Sequence, residues 1–337
     1  MKEQTTPRLL VCVAALSALC CLAQPTTVEG DGLQSATPRI SRNDLPQTCY
    51  LFSYFTGNGE DGLHFAWSRD GLKWEALKGG KSFLTPVVGK SKLMRDPCIV
   101  RGPDGTFHMV WTDSWWSDTI GYASSTNLIH WSEQKAIPVM ADTPGVKNCW
   151  APEIIYDDKR ACFVIFWAST VPGRFPETIF EDKNDNNHRI YATTTKDFET
   201  FTPAGLFFDP GFNAIDSTLL SKDRRIYMFF KDETKYPKPM KNLRLAVATD
   251  WAGPYAVKPE PITVPGLWLE GPTALQIGDY TYLYADAYRN KHYTVLRSRE
   301  LEKWEDLTGQ LSMPKGIRHG TAFAVSRDVL IPLLEEK

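Results

Sequence analysis

Five polar residues in this chain stand where chemistry could be done: Asp96 in "RDP", Glu153 in "WAPE", Asp216 in "AID", Glu270 in "EGP" and His319 in "RHG". Each opens or lies within a short run with strand character. The runs are "MRDPCIV" (94–100), "CWAPEIIY" (149–156), "NAIDSTLL" (213–220), "LEGPTALQI" (269–277) and "RHGTAFAV" (318–325). A carboxylate led into the inside of a sheet, as Glu270 is behind Trp268 and Leu269, is expensive to desolvate. Four carboxyls and an imidazole gathered in one place suit general acid–base chemistry: one carboxyl held protonated gives up a proton, and another, ionised, activates water. Taken singly, each residue has a plainer reading. Asp96 before Pro97 could open a turn, and Asp216 could cap one through its side chain. Glu270 could be a solvated acid at a loop edge, His319 a satisfied core histidine, and Glu153 a structural acid bonding backbone amides. Their recurrence at comparable points of successive repeats favours a site.

The repeats are what must position these residues. After Leu45 one pattern recurs: an apolar strand, a strand of small residues, then a charged turn ending in an aromatic. The copies are "HFAWSRDGLKW" (64–74), "GYASSTNLIHW" (121–131), "RIYATTTKDFETF" (189–201), "RLAVATDWAGPY" (244–255) and "TVLRSRELEKW" (294–304). A period of about 50 residues with about four strands per repeat predicts propeller blades. A β-sandwich would also space its strands evenly, but it does not require the same strand, turn and aromatic five times. The fold class expected is therefore an all-β, five-bladed β-propeller. Its first copy lacks an opening strand, and "RHGTAFAV" at the other end supplies one. Joined to "CYLFSYF", "HFAWS" and "KWEAL", it would close the ring and leave few free edges. Innermost strands face a central channel, so the five polar residues should meet at one mouth of it.

Composition agrees. Aromatic residues make up 12 % of the 337 residues, with 11 Trp, 23 Gly and 23 Pro, which suits strands and turns better than helices. The formal net charge of -2, without a basic run, argues against nucleic acid as a partner. Residues 1–23 read as a secretory signal peptide: Lys2 and Arg8 precede an apolar stretch at 9–23, shorter than the roughly 20 residues a membrane span needs. The expected destination is the periplasm or exterior. A lipid anchor on Cys20 or Cys21 is the weaker alternative, because Leu19 and Cys20 stand where a small residue belongs. Residues 24–44 read as a linker and 45–337 as one propeller domain. Cys49, Cys98, Cys149 and Cys162 lack metal-ligand spacing, which leaves buried thiols or one or two disulfides.

The ordered set "RDP", "WAPE", "AID", "EGP", "RHG", one per blade, resembles the five-bladed propeller glycosidases of glycoside hydrolase family 43 over nearly the whole mature chain. The three strands ahead of "RDP" depart from members that begin at the acidic strand. The resemblance implies an inverting glycoside hydrolase with Asp96 as general base, Glu270 as general acid and Asp216 tuning the acid. His319 matches a histidine near the channel axis that often helps hold a water-coordinated calcium ion, and no cofactor is needed for the chemistry. Inversion would set the Asp96 and Glu270 carboxyls about 6.5–9.5 Å apart. Apolar flanks and a negative Asp216 would keep Glu270 protonated near neutral pH.

Substrate contacts are expected from Trp150, Trp115, Glu153 and Arg318, with Trp116 beside them. The adjacent pair Trp115–Trp116, in a strand, could not both face inward. The insertion at 171–189 reads as a rim loop. The leading expectation is an exported, exo-acting enzyme that trims terminal α-L-arabinofuranose or β-D-xylose from polysaccharide side chains. Galactose-directed action on the same fold and a non-catalytic carbohydrate-binding propeller are the alternatives. Oligomeric state is left open.

Overall fold

The structure, a computed structural model, describes residues 42–337. The signal-peptide reading of residues 1–23 and most of the linker lie outside the described residues. Twenty strands follow in chain order. The first three are β1 (Thr48–Tyr54), β2 (His64–Ser68) and β3 (Glu75–Ala76); then come β4 (Arg95–Arg101), β5 (Phe107–Thr112), β6 (Ile120–Ser125) and β7 (Lys135–Ile137). The next two sets are β8 (Trp150–Asp157), β9 (Cys162–Thr170), β10 (His188–Thr195), β11 (Gly205–Phe208), and β12 (Ala214–Lys222), β13 (Arg225–Asp232), β14 (Asn242–Ala248), β15 (Ala256–Val257). β16 (Glu270–Ile277), β17 (Tyr280–Ala287), β18 (His292–Ser298), β19 (Glu305–Asp306) and β20 (Thr321–Ser326) complete the set. They form five antiparallel four-stranded sheets, and the innermost strands β4, β8, β12, β16 and β20 neighbour one another in a closed ring. This is a five-bladed β-propeller.

The charged turn of each repeat has a local cause. In the first, the Ser68 hydroxyl accepts the Gly71 amide at 2.9 Å, while Asp70 accepts those of Leu72 and Lys73 at 2.8 and 2.9 Å. Ser125 and Asn127 treat Leu128, Ile129 and His130 the same way, as Thr195 and Asp197 treat Phe198, Glu199 and Thr200. These short polar side chains satisfy amides that a sharp turn would otherwise leave bare. The turn also needs a residue of positive φ: Gly71 (77°), Leu128 (63°), Phe198 (58°) and Leu301 (63°). At the first copy that residue must be glycine, because a Cβ would run into Ile277 and the Tyr284 hydroxyl.

Side-chain alternation builds one apolar cluster between each pair of blades. Along β9 nothing is exposed: Phe163, Ile165 and Trp167 face the preceding blade, while Val164, Phe166 and Ala168 face the following one. Strands buried on both faces explain why so many read as continuous apolar runs. β20 closes the ring by pairing antiparallel with β1, Thr321 opposite Ser53 and Ser326 opposite Thr48. The anticipated third strand of that blade shrinks to Glu75–Ala76. One α-helix, α1 (Arg327–Glu335), was not anticipated; Leu330 and Leu333 are fully buried on the first interface. Its inner Pro332 masked it as a loop. Cys49, Cys98, Cys149 and Cys162 are all buried free thiols. Among the described residues no helix is long and apolar enough to cross a membrane.

Candidate active site

Four innermost strands break register at the same point. The irregularity falls between Arg95 and Cys98, Trp150 and Glu153, Ile215 and Thr218, and Glu270 and Thr273. In each, two residues oppose one on the neighbouring strand, and the first of the two has positive φ: Asp96 (53°), Ala151 (45°), Asp216 (50°), Gly271 (57°). The ring-closing strand shares the two-against-one spacing but not the positive φ, since the Arg318 amide bonds the Phe55 carbonyl at 3.0 Å while Thr321 pairs with Ser53. Such bulges re-aim side chains beside active sites, and aspartate tolerates the left-handed conformation better than most residues.

Three tiers result, which corrects the expectation that the five polar residues occupy equivalent positions. The bulge tier is Asp96, Ala151, Asp216, Gly271 and His319. One residue earlier stand Arg95, Trp150, Ile215, Glu270 and Arg318; two residues later stand Cys98, Glu153, Thr218, Thr273 and Thr321. Glu153 therefore lies deeper than the others. It accepts the Thr218 hydroxyl at 2.8 Å across to the next blade, and burial pushes its carboxyl up to about 7.

In the bulge tier Asp96 and His319 are partners, with Oδ1 and Nδ1 3.3 Å apart; the Thr112 hydroxyl donates to Asp96 Oδ2 at 2.8 Å. Burial would raise Asp96, but the imidazolium, its hydrogen bond and nearby Arg95 outweigh it and hold the carboxyl at about 2. Burial likewise would lower His319, yet Asp96, Asp216 and Glu270 raise it to about 9. The His319 ring lies against Gly271, where any Cβ would overlap it. Asp216 Oδ2 accepts the Gly271 amide at 3.1 Å. Burial raises Asp216 to about 6, with Glu270 and Asp96 adding to the rise and His319 and Lys231 opposing it.

Glu270 departs from the apolar surroundings expected of it. Leu269 turns into the interface between the last two blades, and Trp268 turns toward Tyr288 and Arg289. The carboxylate instead meets two cations: Lys231 Nζ donates to Oε2 at 3.2 Å, and Arg318 Nη2 to Oε1 at 3.1 Å. Arg318 also bonds Asp286 at 2.8 Å, and Lys231, only 2 % exposed, also pairs with Glu233 at 2.8 Å. Lys231, Asp286, Arg95 and Thr112 were not anticipated. The signal available was Lys231 extending the buried run "IYMFF" by one residue (226–231).

His319 was expected beside a calcium ion. Its Nδ1 faces Asp96 at 3.3 Å. Among the described residues no three His, Cys, Asp or Glu side chains are spaced to hold a metal. The donor set does not suit a directly ligated metal, and no step is routed through one.

Aromatics border the mouth on the side of the second and third blades. Trp115 and Trp116 lie in the loop after β5 rather than in a strand, which is how both face outward, 39 % and 51 % exposed. Trp150 meets both, with ring centroids 5.7 and 5.2 Å away, and its indole N–H donates to the Trp115 carbonyl at 2.6 Å. Beneath Trp115 lies the Arg95 guanidinium, 4.2 Å from its ring and 4.6 Å from that of Phe55. The segment 171–187 joins β9 to β10 and is pinned to the fourth blade by Glu181, whose Oε2 accepts the Asn213 amide at 2.8 Å and the Thr234 hydroxyl at 3.2 Å.

A propeller with carboxyls converging on one channel mouth beside exposed tryptophans defines a carbohydrate-active class. Residues 46–329 match the family described as a probable glycosyl hydrolase domain, related to glycoside hydrolase family 43, and the chain belongs to that family. Its propeller is a glycosyl hydrolase domain of the family-43-related type. A curated α-L-arabinofuranosidase of Bifidobacterium longum subsp. longum is 25 % identical over 213 residues, 56 % of this chain and 20 % of that protein. The chain thus spans about a fifth of that relative's length. Among solved structures, a thermostable family-43 glycoside hydrolase superposes with a TM-score of 0.54 at 18 % identity, covering 69 % of this chain and 80 % of that one. A family 117 glycoside hydrolase of the marine bacterium Zobellia galactanivorans does so with 0.51 at 14 %, covering 82 % and 76 %. These two likenesses show the fold.

Proposed function

We propose that the protein is an exported, exo-acting glycosidase that releases terminal sugars from polysaccharide side chains with inversion. In this reading Asp96 is the general base, Glu270 the general acid and Asp216 the carboxyl that modulates the acid. The observation that carries it is the meeting of two carboxyls from non-adjacent blades at one channel mouth. Asp96, in the second blade, is held at about 2 and so stays ionised as a base must, while Glu270 opens the non-adjacent fifth blade. One ionised carboxylate to activate water and one protonated carboxyl across the mouth to give its proton to the leaving oxygen is the arrangement inversion needs. Lys231 and Arg318 fix the Glu270 carboxyl in one orientation, and Asp216 reaches its strand through the Gly271 amide. Trp150 and Trp115 offer faces for the terminal sugar.

α-L-arabinofuranose is the first choice of sugar, supported by the curated relative's activity, with β-D-xylose next. The test is a panel of chromogenic α-L-arabinofuranosides, β-D-xylosides and β-D-galactosides, with the product anomer followed by NMR from the first turnovers. Cleavage of the arabinofuranoside with inverted product is expected; cleavage of the galactoside alone moves the specificity to galactose. Asp96→Asn and Glu270→Gln should each lower kcat about 10²–10⁴-fold while leaving sugar binding in place. Retention of full turnover by Glu270→Gln would remove the acid assignment. Export is supported by the N-terminal charge and apolar run, and N-terminal sequencing of secreted material is expected to begin after Ala23.

A further inference from the structure

Beyond the terminal-sugar site, a second feature of the same face has no assigned role. Trp116 stands half exposed on a ridge between two open clefts. One, of about 490 Å³, is lined by Trp116, Lys147, Asn184 and Asn186, between the loop after β5 and the 171–187 segment. The other, of about 750 Å³, runs from Trp116 and Ser117 past Thr143 and Lys147 over the outer part of the second blade. Both volumes lie within the range of pockets that hold small ligands, roughly 300–1,000 Å³.

The ridge is rigid and continuous with the site. Trp116 packs against Trp150, Trp150 is fastened to the Trp115 carbonyl, and its ring meets that of His188 at a tilt with centroids 4.9 Å apart. The wall opposite is also fastened. Lys147 Nζ donates to the Asn184 and Asp185 carbonyls at 3.3 and 2.8 Å, and Asn213 holds the Asn186 carbonyl at 2.8 Å. Lys147 thus donates to two backbone carbonyls while keeping its charge, and the far wall adds one charge of each sign, Lys90 and Asp118, leaving a single net positive charge. What remains facing solvent is an indole flanked by amides and hydroxyls with little net charge. That combination fits the apolar faces and hydroxyl edges of neutral sugar rings, and suits neither a nucleic acid, which needs excess positive charge, nor a purely apolar ligand.

We propose that the two clefts about Trp116 form an extended binding site for a neutral glycan chain, the polymer that carries the terminal sugar. The chain leaves the channel mouth past Trp150 and crosses the Trp116 ridge over the second blade. This rests on the glycosidase reading only for the direction of the chain; binding itself is measured without turnover.

The test uses the full-length Glu270→Gln protein and three probes, α-1,5-arabinohexaose, β-1,4-xylohexaose and β-1,3-galactohexaose, each compared with its disaccharide by calorimetric titration. At least one hexaose should bind tenfold or more tighter than its disaccharide. Adding Trp116→Ala should weaken that hexaose about tenfold or more. Trp116 is half exposed, so an unchanged melting temperature is expected, and Asn186→Ala, on the other wall, should weaken the same hexaose independently. Hexaoses that bind no tighter than disaccharides, or a hexaose affinity indifferent to both substitutions, would overturn the proposal. Glycoside cleavage without hexaose preference would sink the chain site and leave the enzyme assignment standing. Hexaose binding with no glycoside cleaved would do the reverse.

Discussion

His319 and Asp96 are displaced in opposite directions by the same contact, and this sets a pH window. Asp96 goes down from 3.8 to about 2, so the stability it contributes is present above 3.8 and lost as pH falls through 2. His319 goes up from 6.5 to about 9, so its contribution is complete below 6.5 and disappears as pH rises through 9. Wild type should therefore melt at least about 2 °C above His319→Gln at pH 6, with the gap closing toward pH 9; calorimetry at both pH values checks this. Glu153 behaves differently. Raised from 4.5 to about 7 by burial, it supports the fold fully below 4.5 and less as pH rises through 7. Lys231→Met should cost about 3–5 kcal/mol, the scale of breaking a buried ion pair. It should also lower kcat more than it raises KM, read from steady-state kinetics, because it frees the orientation of Glu270. Asp96, Asp216, Glu270 and His319 could be singled out because they recur at comparable points of successive repeats, although each alone has a plainer use. Lys231 was not, because a lysine at a strand end reads as solvated until a neighbouring blade brings Glu270 to it.

At the level of strands, the bulge decides how the site is aimed. The sequence shows a polar residue opening each inner strand, but whether it lands in the bulge, before it or after it depends on pairing register with the next strand. That is why Glu153, one of the expected contacts, sits a tier below Asp216, and why Glu270 points to Lys231 and Arg318 from a position one residue ahead of the bulge. Ring closure was legible, since the strand missing from the first repeat appears at the end of the last. Its energetic weight falls on Phe52, which meets Trp74, Tyr284 and Tyr293 edge to face at 5.4, 5.9 and 5.5 Å, joining the first and last blades. Phe52→Ala should destabilise by about 3–5 kcal/mol, seen as a lower denaturant midpoint with unchanged m-value if the ring still unfolds as one unit.

At the largest scale, the stability of the described residues is divided among five apolar interfaces, and among those residues there is no covalent staple. The four cysteines of the propeller are buried thiols, and burial raises all of them above their usual range. Reductant should leave the melting temperature unchanged, and iodoacetamide should label them only on unfolding, which mass spectrometry would read. The number of blades, the closing strand, the acids at the mouth and the exposed tryptophans beside it all followed from sequence. Each depends on local pattern: period-two burial, side-chain oxygens capping a repeated turn, and the cost of a carboxylate inside a sheet. The partners of those acids, the three tiers of the channel, the free state of the thiols and the α1 helix were decided only by tertiary structure. Most of them arise between strands far apart along the chain, where the spatial meeting of two strands is set by the closed ring and not by either strand's own residues.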